Sequence, residues 1–172
     1  NVVETLRRYA VLVLPVSQHS NWLSLNFVNC PDPPDSVIVL LAKIAQQTIW
    51  INMSGCRISE TSWRTIGQLY NLRRLSLDHS TVSDSAILSL KNLEHLESLN
   101  LSNTQVSEKG LQHIAGLQHL RTIFLYKTLA ATSDWASLHA LFPQTNLDTG
   151  GYSLPFLATD TARIQDPKEA YK

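Results

Sequence analysis

Apolar residues along this chain fall into columns spaced 24 residues apart, as in Leu72, Leu96 and Leu120 or Leu75, Leu99 and Ile123. Leu77, Leu101 and Leu125 form another column, as do Val82 and Val106, Leu90, Ile114 and Leu138, and Leu69, Leu93, Leu117 and Leu141. One interval earlier the register continues through Ile51, Met53, Ile58, Trp63 and Ile66. Within a unit, the alternation Leu75-x-Leu77 predicts a short strand with one buried face. Ala86, Ile87, Leu90 and Leu93 have the spacing of one helix face. Ser83 and Ser107 stand at helix N-cap positions, with Asp84 and Glu108 in the first turn, where carboxylates favour the positive end of the dipole. Each unit reads strand, turn, helix, turn.

One such unit cannot bury its apolar face alone, whereas stacked units share a continuous core. The predicted fold is α/β, a leucine-rich-repeat solenoid with parallel strands on the concave face, helices on the convex face and repeats of about 24 residues. Residues 1–172 read as a single domain: an N-terminal cap over 1–21, about five repeats over 22–143, and a C-terminal strand, cap and tail over 144–172. In the cap, a helix is predicted over 2–9 and a strand over 11–16. Trp22 to Val28 is predicted as the first repeat strand, and aligning Leu25 and Phe27 with Ile51 and Met53 makes that repeat 26 residues long. Helices are expected over 36–45 and 133–142, the latter stopped by Pro143. A final strand is expected at Asn146-Leu147-Asp148, with a turn at Gly150-Gly151.

The outward strand positions define the candidate site. They are Trp50, Asn52 and Ser54; Arg74, Ser76 and Asp78; Ser98, Asn100 and Ser102; and Thr122, Phe124 and Tyr126. Folding does not require aromatics that point away from the core, and Trp, Tyr and Arg are enriched at interface hot spots. The candidate partner-binding residues are therefore Trp50, Asn52, Arg74, Ser76, Asp78, Asn100, Ser102, Phe124 and Tyr126. The competing reading is that a cap or a neighbouring domain covers the aromatics.

Charge adds little to this picture. Lys plus Arg and Asp plus Glu number 14 each, so nothing points to nucleic acid or to an anionic membrane surface. The longest apolar runs fall far short of the ~20 residues that cross a bilayer, and no direct membrane insertion by this stretch is expected. The start Asn1-Val2-Val3 reads as that of a fragment or a processed product.

Other motifs have plain readings. Cys30 and Cys56 share a column with Ser80, Thr104 and Thr128, where the side chain is expected to point inward. Two small buried thiols are the favoured reading, yet stacked neighbours about 5 Å apart are within disulfide reach, and a two-cysteine zinc site is a poor fit. His95 and His119 are in register but lack a carboxylate or cysteine column beside them, so they read as solvated turns. Asn52-Met53-Ser54 and Asn100-Leu101-Ser102 match the glycosylation pattern because the repeat alternates polar with buried positions. Asp78-His79-Ser80 holds triad residue types, but neighbours on a strand point apart. No nucleophile motif, phosphate loop or ligand cluster is present, so neither catalysis nor metal binding is expected.

The unit Leu-x-x-Leu-x-Leu-x-x-Thr-x-Val-Ser-Glu-Lys-Gly-Leu over 96–111 is preceded by Val11 to Val28 and followed by Leu147-Asp148-Thr149-Gly150-Gly151-Tyr152. Together these resemble the C-terminal repeat region of large bacterial membrane-anchored proteins that carry a planctomycete-type c-type cytochrome domain. The resemblance implies an extracytoplasmic, periplasmic location beside an electron-transfer module, with a cytoplasmic location left open. No Cys-x-x-Cys-His occurs here, so no haem or other cofactor is expected in these residues. The functional expectation is a non-catalytic docking module for a protein partner. The alternative is a spacer packed against a cytochrome or membrane domain of the same chain.

Overall fold

A computed structural model describes residues 1–150. Its described strands form one seven-stranded sheet in chain order, β1 (Leu12–Pro15), β2 (Leu23–Asn26), β3 (Thr48–Asn52), β4 (Arg74–Ser76), β5 (Ser98–Asn100), β6 (Thr122–Phe124) and β7 (Asn146–Asp148). From β2 onward every pairing is parallel, and Leu25, Ile51, Leu75, Leu99, Ile123 and Leu147 lie side by side. The column of the sequence is thus a physical stack, and all six residues are buried. The pairing of β2 with β3 shifts register between Leu23 and Ser24, which absorbs the extra length of the first repeat.

The connecting segments are short. Helices α1 (Val2–Arg8), α2 (Asp35–Val39), α3 (Glu60–Ile66), α4 (Asp84–Ser89), α5 (Glu108–Gln112) and α6 (Trp135–Leu141) are five to seven residues long. Isolated helices of that length do not hold in water, so packing on the shared core sustains them. The helix expected over 36–45 is α2 followed by a 3-10 segment, Leu40–Ile44. A 3-10 turn at Ala130–Thr132 precedes α6, which starts two residues later than expected, with Asp134 as its N-cap.

The first element packs as a cover for the first repeat. Asn1 caps α1 through Val3 N–H, Leu6 is buried, and β1 runs antiparallel to β2. The outer edge of β1 is blunted in two ways: Pro15 has no N–H to offer, and Arg7 Nη2 donates to the Val13 carbonyl at 3.1 Å. The expected cap and tail beyond Gly150 lie outside the described residues.

Two expectations about polar side chains need correction. Ser83 and Ser107 do occupy N-cap positions, but neither hydroxyl caps its helix. They serve a ladder running from repeat to repeat instead. Asp35 accepts from the hydroxyls of Ser59, Thr61 and Ser62, and Glu60 accepts from Ser85. Asp84 accepts from both the N–H and the hydroxyl of Ser107, and Glu108 from Ser137. The first-turn acid of each repeat thereby holds the helix start of the next. Gly110 belongs to this arrangement, because a Cβ there would stand 2.3 Å from Asp84 Oδ1.

The second correction concerns Cys30. Ser80, Thr104 and Thr128 are buried and donate to Leu77, Leu101 and Leu125 carbonyls, closing the turn after each strand. Cys56 is buried in that column, but Cys30 is only half-buried. Cys30 is the first member of the column, and the antiparallel cap strand supplies no equivalent turn to stack on it. Both cysteines are free thiols, and Cys56 Sγ points to the Cys30 carbonyl at 3.6 Å.

Candidate functional site

Seven parallel tracks end on the concave side, and what each outward residue can do depends on the hydrogen bonds it already makes. Gly55, His79, Asn103 and Lys127, all 24 residues apart, share a left-handed backbone with φ between 56° and 70°. This conformation turns the chain out of each strand. The inter-repeat backbone ladder continues through the turn, from Gly55 N–H to Asp78 O, His79 to Ser102 and Asn103 to Tyr126. Ser54, Asp78, Ser102 and Tyr126 therefore lie just past the regular strands but are still held in line with them.

The middle outward column, Asn26, Asn52, Ser76, Asn100, Phe124 and Asp148, mostly builds the frame. Asn26, Asn52, Asn100 and Asp148 each accept the N–H two residues on, at 2.9–3.0 Å, an Asx turn that closes the strand end. Asn100 Nδ2 also donates to Asp78 Oδ1 at 3.2 Å. These bonds account for the polar residues of both glycosylation-like triplets without any modification.

Asp78 is a hydrogen-bond hub. Ser54 Oγ donates to Oδ2 and Ser76 Oγ to Oδ1, both at 2.7 Å, and His79 Nδ1 lies 3.2 Å from Oδ2. Partial burial is the largest single influence and pushes the carboxyl up. The bonds from Ser54, Ser76 and His79 together outweigh it and hold Asp78 below the usual range. The contact between neighbours Asp78 and His79 corrects the expectation that they point apart, since the positive φ of His79 swings its ring back. Ser80 still faces inward, with its hydroxyl on Leu77, so no relay forms.

The first outward column is different in kind. Trp50, Arg74, Ser98 and Thr122 stand in register on β3 to β6. The Arg74 guanidinium stacks 4.7 Å above the Trp50 ring, and no described carboxylate lies within ion-pair distance of it. Beside this pair is a shallow groove of about 290 Å³ whose lining includes Ser24, Trp50, Arg74, Ser98, Asn100 and Phe124. Phe124 is half-buried. Tyr126 is 43 % exposed, with Lys127 Nζ 5.1 Å above its ring and Gly150 packed against its edge.

Sequence reasoning stopped this face at β3, although it continues onto the cap. Leu12 and Leu14 pair with Asn26 and Ser24, point to the same side and are 46 % and 48 % exposed. The signal was present in the alternation Leu12-Val13-Leu14, with Val13 as the buried member.

His95 and His119 face each other with ring centroids 5.8 Å apart, and His119 Nδ1 donates to the Glu94 carbonyl. Among the described residues no group of three or more His, Cys, Asp or Glu side chains could hold a metal ion. No described helix is long and apolar enough to cross a membrane.

No protein-family model matches the sequence, and no curated protein matches it. Among solved structures, the chain is similar to an internalin of Listeria monocytogenes strain 4b F2365, at 18 % identity and a TM-score of 0.45. The similarity covers 67 % of this chain and 38 % of that one, so the chain spans well under half the internalin's length. The fold rests on this chain's own geometry: with one short parallel strand per unit, buried Leu columns in register and a helical segment closing each unit, the protein is a leucine-rich-repeat solenoid.

Proposed function

We propose that this solenoid is a non-catalytic docking module that binds a protein partner on its concave face. The observation that carries this reading is the first outward column with Phe124 and Tyr126. Aromatic and cationic groups stand on a face where the core does not need them, while the neighbouring polar residues are committed to internal bonds. Pre-positioned aromatic and Arg side chains are the types that dominate interface energetics. The module belongs to a larger bacterial envelope protein outside the cytoplasm, a reading that rests on the sequence resemblance to cytochrome-bearing membrane-anchored proteins.

Site-specific photo-crosslinking in the intact protein tests this. Crosslinkers replacing Ser98 or Thr122 are expected to capture a second polypeptide, whereas those replacing Lys91 or Gln112 on the convex side capture none. Phe124→Ala with Tyr126→Ala should weaken that association by ~2 kcal/mol or more. Crosslinks from Ser98 and Thr122 that stay within the parent chain would replace docking with the spacer role.

A further inference from the structure

Arg74 is the one cation among the described outward strand positions of the concave face, and two features define what it can receive. Its guanidinium plane lies over Trp50, which orients the fork and leaves the N–H edges free of any described carboxylate. Its in-register neighbour on β5, Ser98, makes no hydrogen bond through its hydroxyl to any described residue. A stacked guanidinium beside an uncommitted hydroxyl fits a carboxylate, which accepts in a planar, bidentate fashion. Asp78 does not oppose this. It lies four residues further along the chain, about 13 Å in an extended strand, and its oxygens already accept from Ser54, Ser76 and Asn100.

Resting on the docking reading above, we infer that the partner presents an extended segment whose Asp or Glu side chain docks on Arg74 and Ser98, between two apolar anchors. The anchors fit the apolar ground at either end of the first column, Leu12 and Leu14 on β1 and Phe124 on β6. Strands stand about 4.8 Å apart, so β1 lies roughly 14 Å from Arg74 and β6 roughly 10 Å on the other side. At about 3.3 Å per residue, the acid is flanked by apolar residues some four positions away on one side and three on the other. An internal segment is specified because the face continues past Arg74 in both directions.

The test is selection of a random dodecapeptide display library on the immobilised 172-residue chain, on R74Q and on F124A. Arg74 is exposed, so R74Q leaves the core untouched. The wild type should enrich peptides with an acid between apolar residues at the spacing above. R74Q should lose the acid while keeping the apolar preference, and F124A should lose the anchor near it. For one recovered peptide, Glu→Gln should weaken binding to the wild type about tenfold and leave binding to R74Q unchanged. Peptides that depend on Phe124 but show no acid preference, or an acid preference that survives R74Q, would overturn the carboxylate assignment and leave concave docking standing. Enriched peptides indifferent to both R74Q and F124A, or no enrichment at all, would count against concave docking itself.

Discussion

Ser107 donates twice to Asp84 of the preceding repeat, through its N–H to Oδ1 at 2.8 Å and through its hydroxyl to Oδ2 at 2.6 Å. The pair is partly buried between α4 and α5, and a bond to an ionised acceptor is worth more than a neutral one. Asp84→Ala should therefore cost about 1–3 kcal/mol, and Ser107→Ala less, since its N–H bond survives. A double-mutant cycle by chemical denaturation measures the coupling. Strict additivity would mean the ladder contributes nothing between repeats.

Acid should weaken the protein through Asp35 and Asp78. Hydrogen bonds from Ser59, Thr61 and Ser62 lower Asp35, and those from Ser54, Ser76 and His79 lower Asp78 against its burial. A carboxyl lowered in the folded state stabilises fully above its unfolded value of ~3.9 and loses that contribution as pH falls through its folded value. Denaturation midpoints should thus drop below about pH 4, with a shallower dependence in D35N and D78N. An unchanged slope in both variants would show that these hubs carry no linked stability.

Leu99 is fully buried at the centre of the stacked column, with Leu75 and Ile123 as its neighbours. Leu99→Ala removes its contacts to both adjoining repeats and should cost ~2–5 kcal/mol. A loss below ~1 kcal/mol in urea titration would contradict the stack.

Two glycine substitutions should separate crowding from backbone strain. A Cβ on Gly67 would stand 2.1 Å from the Ser89 carbonyl oxygen, which is backbone and cannot swing away. Gly55 meets nothing within 4 Å, but its φ is +70°. Gly67→Ala should cost more than ~2 kcal/mol, in the range of core overpacking, and Gly55→Ala about 1 kcal/mol. Thermal denaturation that reverses this order would overturn the close approach of α3 to the end of α4.

The sequence carried the repeat because a stacked core demands the same residue type at the same place in every unit. Leu75, Leu99 and Ile123 announce their contacts through spacing alone. Contacts between unlike residues leave no such mark. Nothing in the string distinguishes an N-cap serine from one drawn to the acid of the preceding repeat, as Ser107 is to Asp84. The concave face divides the same way. Trp50 and Arg74 were legible as outward residues, but their stacking depends on two rotamers. Asn52 and Asn100 entered the candidate site as free polar groups, although local Asx turns already use their side-chain oxygens. Leu12 and Leu14 were missed because β1 stands outside the periodicity and joins the sheet antiparallel.

The thiols offer the last test, because the structure assigns them unequal chemistry. Burial is the main cause that raises both, with Asp32 adding to it, and Cys56 is pushed up to about 11. The thiolate is the reacting form, so neither reacts at its unperturbed rate near neutral pH. Cys30 is half-buried, whereas Cys56 is buried with its Sγ directed at the Phe27 and Cys30 carbonyls. Treating the native protein with a thiol reagent should therefore label Cys30 slowly and leave Cys56 intact. Both should react at once in denaturant, and C30S should leave a native protein with no accessible thiol. Loss of all labelling under denaturing, non-reducing conditions would mean that the two are joined. Fast native labelling of Cys56 would instead remove it from the turn column it shares with Ser80, Thr104 and Thr128.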